Sequence, residues 1–210
     1  SAAFCVALVR AIAEEEGMDM NDEQVNKHAF AGEKIFHGNP SGIDNTIATY
    51  GGLIFYKRGK TIEDSVFDKI ELGRPLDIVI SFSGKFSPTS KMVARVKEMA
   101  DSDPEQFIQI YDEEMEIVNV GKHALTRGKK YMIGALMNSN QQLLSEVGVS
   151  DETNDQINRI ALDNGALGSK ITGGGGGGCC ISIAKNEDEA KKIMEAIKAK
   201  GFESFITRIS

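Results

Sequence analysis

GEKIFHGNPSGIDNTIATYGG, residues 32–52, is the stretch on which the reading of this 210-residue chain turns. It sets one carboxylate, Glu33, near its start and a second, Asp44, inside the turn Pro40-Ser41-Gly42-Ile43-Asp44. It ends on the pair Gly51-Gly52, which leads into an apolar strand. Packing alone asks for neither the close Pro40 and Gly42 nor a carboxylate between Ile43 and Ile47. A site that must hold an acid against a ligand does. Two readings of Asp44 stand side by side. Ser41-x-x-Asp44 has the form of a capping box, with Ser41 as N-cap and an acid at the third helical position. The same carboxylate can orient the hydroxyl of a phosphoryl acceptor and take its proton. Glu33 is either a solvated helix acid or a hard-oxygen ligand for Mg²⁺, which takes one or two oxygens from protein and the rest from water and phosphate.

Working outward, residues 1–16 predict a helix with Cys5, Leu8, Val9 and Ile12 on one face. Gly17 ends it. Asn21 or Asp22 caps a second helix to about Phe36, with Val25, Ala29 and Ile35 as apolar positions. A short helix runs from Ser41 to about Thr49, then a strand over 53–56 and a β-prone piece over 65–72. A domain boundary is placed near Gly73-Arg74-Pro75, dividing the chain into 1–73 and 74–210. Beyond it come a buried strand over 77–82, then Ser87 as N-cap with Pro88 at the first helical position of a helix to about Ala100. Three helices follow over 104–127, 129–147 and 151–164, the second with Met132, Ala135 and Leu136 among its inward positions. The tail reads as strand 180–184, amphipathic helix 187–200 and strand 202–209.

Between helix and tail lies KITGGGGGGC, residues 170–179. Six glycines in a row can be a flexible linker. Apolar strand residues on both flanks, Ile171 and Cys180-Ile181, favour a loop approached too closely for any Cβ. It lacks the Gly-Lys-Ser or Gly-Lys-Thr of a P-loop. At the other end of the chain, Ser1-Ala2-Ala3 opens the first helix, and a helix N-terminus suits a nucleotide phosphate.

Composition sets the outer bounds. Apolar content of 41% and charged content of 26% are those of a soluble globular protein. A net charge of −7 argues against nucleic acid or an anionic membrane as partner. The chain has no apolar run long enough to span a bilayer. Three cysteines without a CxxC pair fit a reducing cytoplasm, and three separated histidines give no metal-ligand spacing.

HGNPSGIDNTIATYGG, residues 37–52, resembles the signature of the mevalonate kinases, a branch of the GHMP kinase superfamily. The glycine run resembles that superfamily's third motif, and Ser1-Ala2-Ala3 the tail of its second, Gly-Leu-Gly-Ser-Ser-Ala-Ala. The resemblance implies an α+β GHMP kinase fold: the back portion of an S5 domain 2-like N-terminal subdomain over 1–73 and a ferredoxin-like C-terminal subdomain over 74–210. It implies ATP-dependent phosphorylation of the mevalonate 5-hydroxyl in the cytoplasm, with ATP and Mg²⁺ as cofactors and a homodimer left open. It places Asp44 as catalytic base, Glu33 and Ser1 as Mg²⁺ ligands, and Ser1, Ala2, Gly173, Gly174, Gly175 and Gly176 against the nucleotide. His37, Asn39, Ser41, Gly42 and Thr89 would line the substrate site. One departure stands out: Gly174 replaces the family's usual alanine, which would loosen the loop. The family's first motif, which supplies a lysine, has no counterpart after Ser1, so the 210 residues alone are expected to be unstable or inactive. The rivals are a GHMP kinase for another small alcohol, such as a sugar or homoserine, and a non-catalytic fragment that binds nucleotide or a partner.

Overall fold

Ala2–Glu15 form helix α1, and what it buries is its small face: Ala2, Cys5, Val6 and Ala13. Leu8 and Ile12, expected inward, are 45% and 52% exposed. The reason is a close crossing with α2 (Asp22–His37), where a Cβ added to Gly32 would lie 2.8 Å from Cys5 Sγ. Large aliphatic side chains cannot enter a crossing that tight. Asn21 caps α2 in a reciprocal box: Gln24 N–H donates to Asn21 Oδ1 (2.9 Å) and Asn21 N–H to Gln24 Oε1 (3.0 Å). The buried stripe of α2 runs Val25, Ala29, Glu33 at four-residue spacing, which leaves Ile35 on the far side, 84% exposed. A carboxylate thus occupies a position that the stripe would give to an apolar residue.

Helix α3 (Ile43–Tyr50) starts two residues later than expected. Its N-cap is Gly42 at φ +86°, and no side chain caps it. The expected capping box is absent: Ser41 Oγ instead accepts from the Ile43 N–H at 3.3 Å, two residues on. β1 (Ile54–Lys57) and β2 (Val66–Lys69) pair antiparallel, Ile54 opposite Lys69, and complete the first of two compact units, Ser1–Glu71. The computed structural model describes residues 1–37 and 40–210.

The second unit, Leu72–Ser210, is built on a four-stranded antiparallel sheet of β3 (Leu76–Phe82), β4 (Gly168–Thr172), β5 (Cys179–Ala184) and β6 (Glu203–Ile209). Its spatial order is β4-β5-β3-β6. With helices after the first and third strands, this is the β-α-β-β-α-β ferredoxin-like arrangement. Helices α4 (Thr89–Ser102), α5 (Pro104–Thr126), α6 (Lys130–Glu146) and α7 (Glu152–Asp163) connect β3 to β4, and α8 (Glu187–Ala199) connects β5 to β6. β3 is buried on both faces. Val79 joins Ile157, Ile171, Ile193 and Ile197 on one side, and Ile78 joins Ala124, Ile133 and Met137 on the other. That accounts for the apolar run Ile78-Val79-Ile80 in its sequence.

Two expectations are corrected here. α4 begins at Thr89 with Pro88 as N-cap, so Ser87 caps nothing. α6 turns Ile133, Gly134 and Met137 inward, whereas Met132 is 50% exposed and Ala135 is exposed. The face is chosen by backbone approach: a Cβ on Gly134 would collide with the Leu167 carbonyl, and one on Gly168 with the Gly134 carbonyl. No helix of the described residues is long and apolar enough to cross a membrane.

Candidate active site

In the first unit, the crossing of α1 and α2 brings Ser1 and Cys5 against Glu33 and His37. Glu33 is 3% exposed. Its Oε1 lies 4.0 Å from the Cys5 thiol and its Oε2 3.9 Å from His37 Nε2, one turn along α2. The same imidazole nitrogen is 2.8 Å from the Ser1 hydroxyl. Among the described residues Glu33 therefore has only weak neighbours, a costly state for a buried carboxylate unless something cationic joins it. A carboxylate and a hydroxyl near each other form a hard-oxygen donor set, which suits Mg²⁺. Among the described residues no group of three His, Cys, Asp or Glu side chains is placed to hold a metal, so a bound ion would draw its other ligands from water and phosphate.

Asp44 projects from the first turn of α3, exposed, and is the only acid in that turn. Among the described residues it has no hydrogen bond or ion pair. The turn that leads to it is held from β1: Tyr56 Oη donates to the Ser41 carbonyl at 2.9 Å. Gly42 is buried, and a Cβ there would lie 2.7 Å from Tyr56 Oη in a backbone conformation that side chains rarely adopt. Arg10 reaches from α1 to the Thr49 carbonyl at 3.0 Å and closes the other end of α3. Asn39 lies outside the described residues.

In the second unit, the glycines form a cradled loop at one end of the sheet. Gly176 N–H donates to the Val149 carbonyl (2.8 Å), Gly177 N–H to Asn154 Oδ1 (3.1 Å) and Gly178 N–H to the Lys85 carbonyl (2.9 Å). Such fixed bonding is not that of a flexible linker. Five of the six glycines have positive φ; Gly174 does not. A Cβ at Gly174 would sit 3.2 Å from the Thr89 side chain, which links that residue to the loop. The amides of Gly173, Gly174 and Gly175 are not consumed by these bonds. They edge a cleft of about 740 Å³, shared with Lys85, Thr89 and Cys179. Burial pushes the Cys179 thiol up, and pushes that of the fully buried Cys180 to about 11. Burial also lowers Lys170, partly offset by Glu114, while its ammonium donates to the Ile171 carbonyl at 2.7 Å.

Sequence reading placed Cys5 only on the apolar face of the first helix and gave Tyr56 and Asn154 no part in the site. Each acts through a tertiary contact and carries no motif.

The first 52 residues match the family described as GHMP kinases N terminal domain, and residues 122–203 match GHMP kinases C terminal. The whole chain aligns with the mevalonate kinases of Pyrococcus furiosus, at 34% identity over 215 residues, and of Aeropyrum pernix, at 33% over 211. It covers 62% and 63% of those proteins. A crystal structure of L. major mevalonate kinase in complex with R-mevalonate is similar over the whole chain, with 36% identity and a TM-score of 0.92. The chain spans 64% of that protein.

Proposed function

The chain belongs to the GHMP kinase superfamily, and on that premise we propose that the protein is a mevalonate kinase that transfers the γ-phosphoryl group of ATP to the mevalonate 5-hydroxyl. The observation that carries the substrate choice is the likeness of the entire chain to the mevalonate-bound L. major enzyme. Residues 1–73 would be the back portion of the N-terminal subdomain and 74–210 the C-terminal subdomain. A cytoplasmic setting suits three free thiols.

Asp44 is the base. Its carboxylate is exposed and, among the described residues, unpaired, so it is available to an incoming hydroxyl without first breaking a structural bond. As the 5-oxygen forms its bond to Pγ, the bond from Pγ to the β–γ bridging oxygen breaks, ADP leaves, and the hydroxyl proton passes to Asp44. Ser41 and Gly42 shape the turn that presents Asp44, and His37, Asn39 and Thr89 are the other substrate-side candidates. Glu33 and Ser1 would hold Mg²⁺, which supplies charge neutralisation at the phosphates. Ser1 and Ala2 at the start of α1, and the glycine loop from Gly173 to Gly176, offer backbone N–H groups to the nucleotide.

A substrate panel tests the assignment. The full-length protein, purified and given MgATP and in turn mevalonate, homoserine and galactose, should release ADP only with mevalonate, and ³¹P NMR should identify a phosphomonoester. Turnover with another alcohol and none with mevalonate would keep the superfamily and remove the substrate. Nucleotide binding with no turnover on any alcohol would favour the non-catalytic reading.

A further inference from the structure

At the end of the β3–β6 sheet opposite the glycine loop lies a second cavity, of about 760 Å³, in a part of the second unit that the kinase reading does not use. Its charged lining is entirely cationic: Arg74, Lys129, Lys130, Lys185 and Arg208. They come from the entry to β3, the α5–α6 turn, the β5–α8 turn and the end of β6. Five cations converging from four segments is unexpected in a chain with net charge −7, because their mutual repulsion costs energy unless an anion joins them.

The cluster is also held in place. Asp77 is 5% exposed and sits beneath it, 3.5 Å from Lys130 Nζ and 3.6 Å from an Arg208 nitrogen. Lys130 Nζ further donates to the Lys185 carbonyl at 3.3 Å. The stem of Arg74 rests on Gly128, whose positive φ and missing side chain leave room for it. A second acid, Glu187, also feels Arg208, but it is engaged by Lys191 at 2.7 Å and held low chiefly by it. One carboxylate therefore orients two of the five cations and cannot neutralise the rest. Pro75, Tyr131 and Met132 complete the wall with apolar surface.

We propose that this cavity binds the phosphate or diphosphate group of a small molecule, the cations and the free first-turn amides of α6 taking the anion and the Tyr131–Met132 side its organic part. Arg and Lys converging on one point suit tetrahedral oxyanions, which accept several charge-assisted hydrogen bonds at once.

The test is a titration of the ¹⁵N-labelled protein with sodium pyrophosphate, beside sodium chloride at matched ionic strength. The amides of Lys130, Tyr131 and Met132 should shift saturably with pyrophosphate and not with chloride. Arg74→Gln/Lys185→Gln removes two cations and leaves both Asp77 pairs intact, so the variant should fold as the parent does. It should bind pyrophosphate at these amides roughly tenfold more weakly or worse. Any of three results would overturn the proposal: shifts confined to other amides such as Gly173–Gly175, equal shifts with chloride, or undiminished affinity in the double variant.

Discussion

The Ser1 hydroxyl and His37 Nε2 lie 2.8 Å apart although 36 residues separate them in the chain. Glu33 Oε2 is 3.9 Å from the same nitrogen. One imidazole thus spans the two oxygens proposed to bind Mg²⁺, and groups that orient metal ligands commonly matter nearly as much as the ligands. His37→Ala should weaken divalent-cation binding by about tenfold. Mn²⁺ titration by EPR in the presence of ATP reads this without any turnover. Unchanged Mn²⁺ affinity would leave His37 with a purely structural part.

Glu33→Gln separates function from stability. Among the described residues the buried carboxylate has only a thiol at 4.0 Å and an imidazole at 3.9 Å as partners. The isosteric amide removes a poorly compensated charge, so the melting temperature should stay level or rise, while the Mg²⁺ concentration for half-maximal rate climbs. A stability loss of more than about 1 kcal/mol would mark Glu33 as structural.

Paired glycine substitutions test whether the loop is built or slack. Gly175 has φ +78°, and a Cβ there would collide with the Val149 carbonyl. Gly175→Ala should cost more than the roughly 1–2 kcal/mol of a left-handed residue alone. Gly174 lacks the positive φ, and the nearest atoms to an added Cβ would be those of the Thr89 side chain, at 3.2 Å. Gly174→Ala should cost under about 1 kcal/mol. Equal effects in urea denaturation would contradict the cradled geometry.

Asn154 is fully buried, accepts from the Gly177 N–H and donates to Cys180 Sγ at 3.4 Å. Asn154→Ala strands that amide and should destabilise by about 1–3 kcal/mol. Hydrogen exchange at Gly177 should quicken more than at Ile193 in the core.

The Cys180 thiol gives a pH signature. Burial raises it from 9.0 to about 11 in the folded protein, so between these values the folded state holds a proton that the unfolded state has lost. Stability contributed by the neutral thiol is full below pH 9 and falls as pH rises toward 11, by about 2–3 kcal/mol in all. The difference between wild type and Cys180→Ala, followed by urea denaturation from pH 8 to 11, should shrink across that window. A constant difference would contradict it.

Much of the fold was legible where periodicity is local. The helix over 187–200 declared itself by its apolar stripe, and β3 by the apolar run Ile78-Val79-Ile80. β4 was visible only through Ile171, because Gly168, Ser169 and Lys170 carry no apolar alternation. The inward faces of α1 and α6 were misread for one shared reason. Close backbone approach at Gly32 and Gly134 selects small neighbours over large aliphatic ones, and a single sequence does not reveal where two backbones will touch. In the candidate site, residue types and spacing pointed to Glu33, Asp44 and the glycines. The contacts that hold them were hidden: Ser1 to His37, Tyr56 to Ser41 and Asn154 to Gly177 join residues 36, 15 and 23 positions apart.

The most direct test of the central claim is mevalonate-dependent ADP release by the purified full-length protein, wild type beside Asp44→Asn, with thermal melting of both. Asp44 is exposed and unpaired among the described residues, so the amide should leave the melting temperature unchanged. Loss of the base should lower kcat by about 10²–10⁴-fold. A variant that melts as wild type does and turns over mevalonate at an undiminished rate would contradict the account.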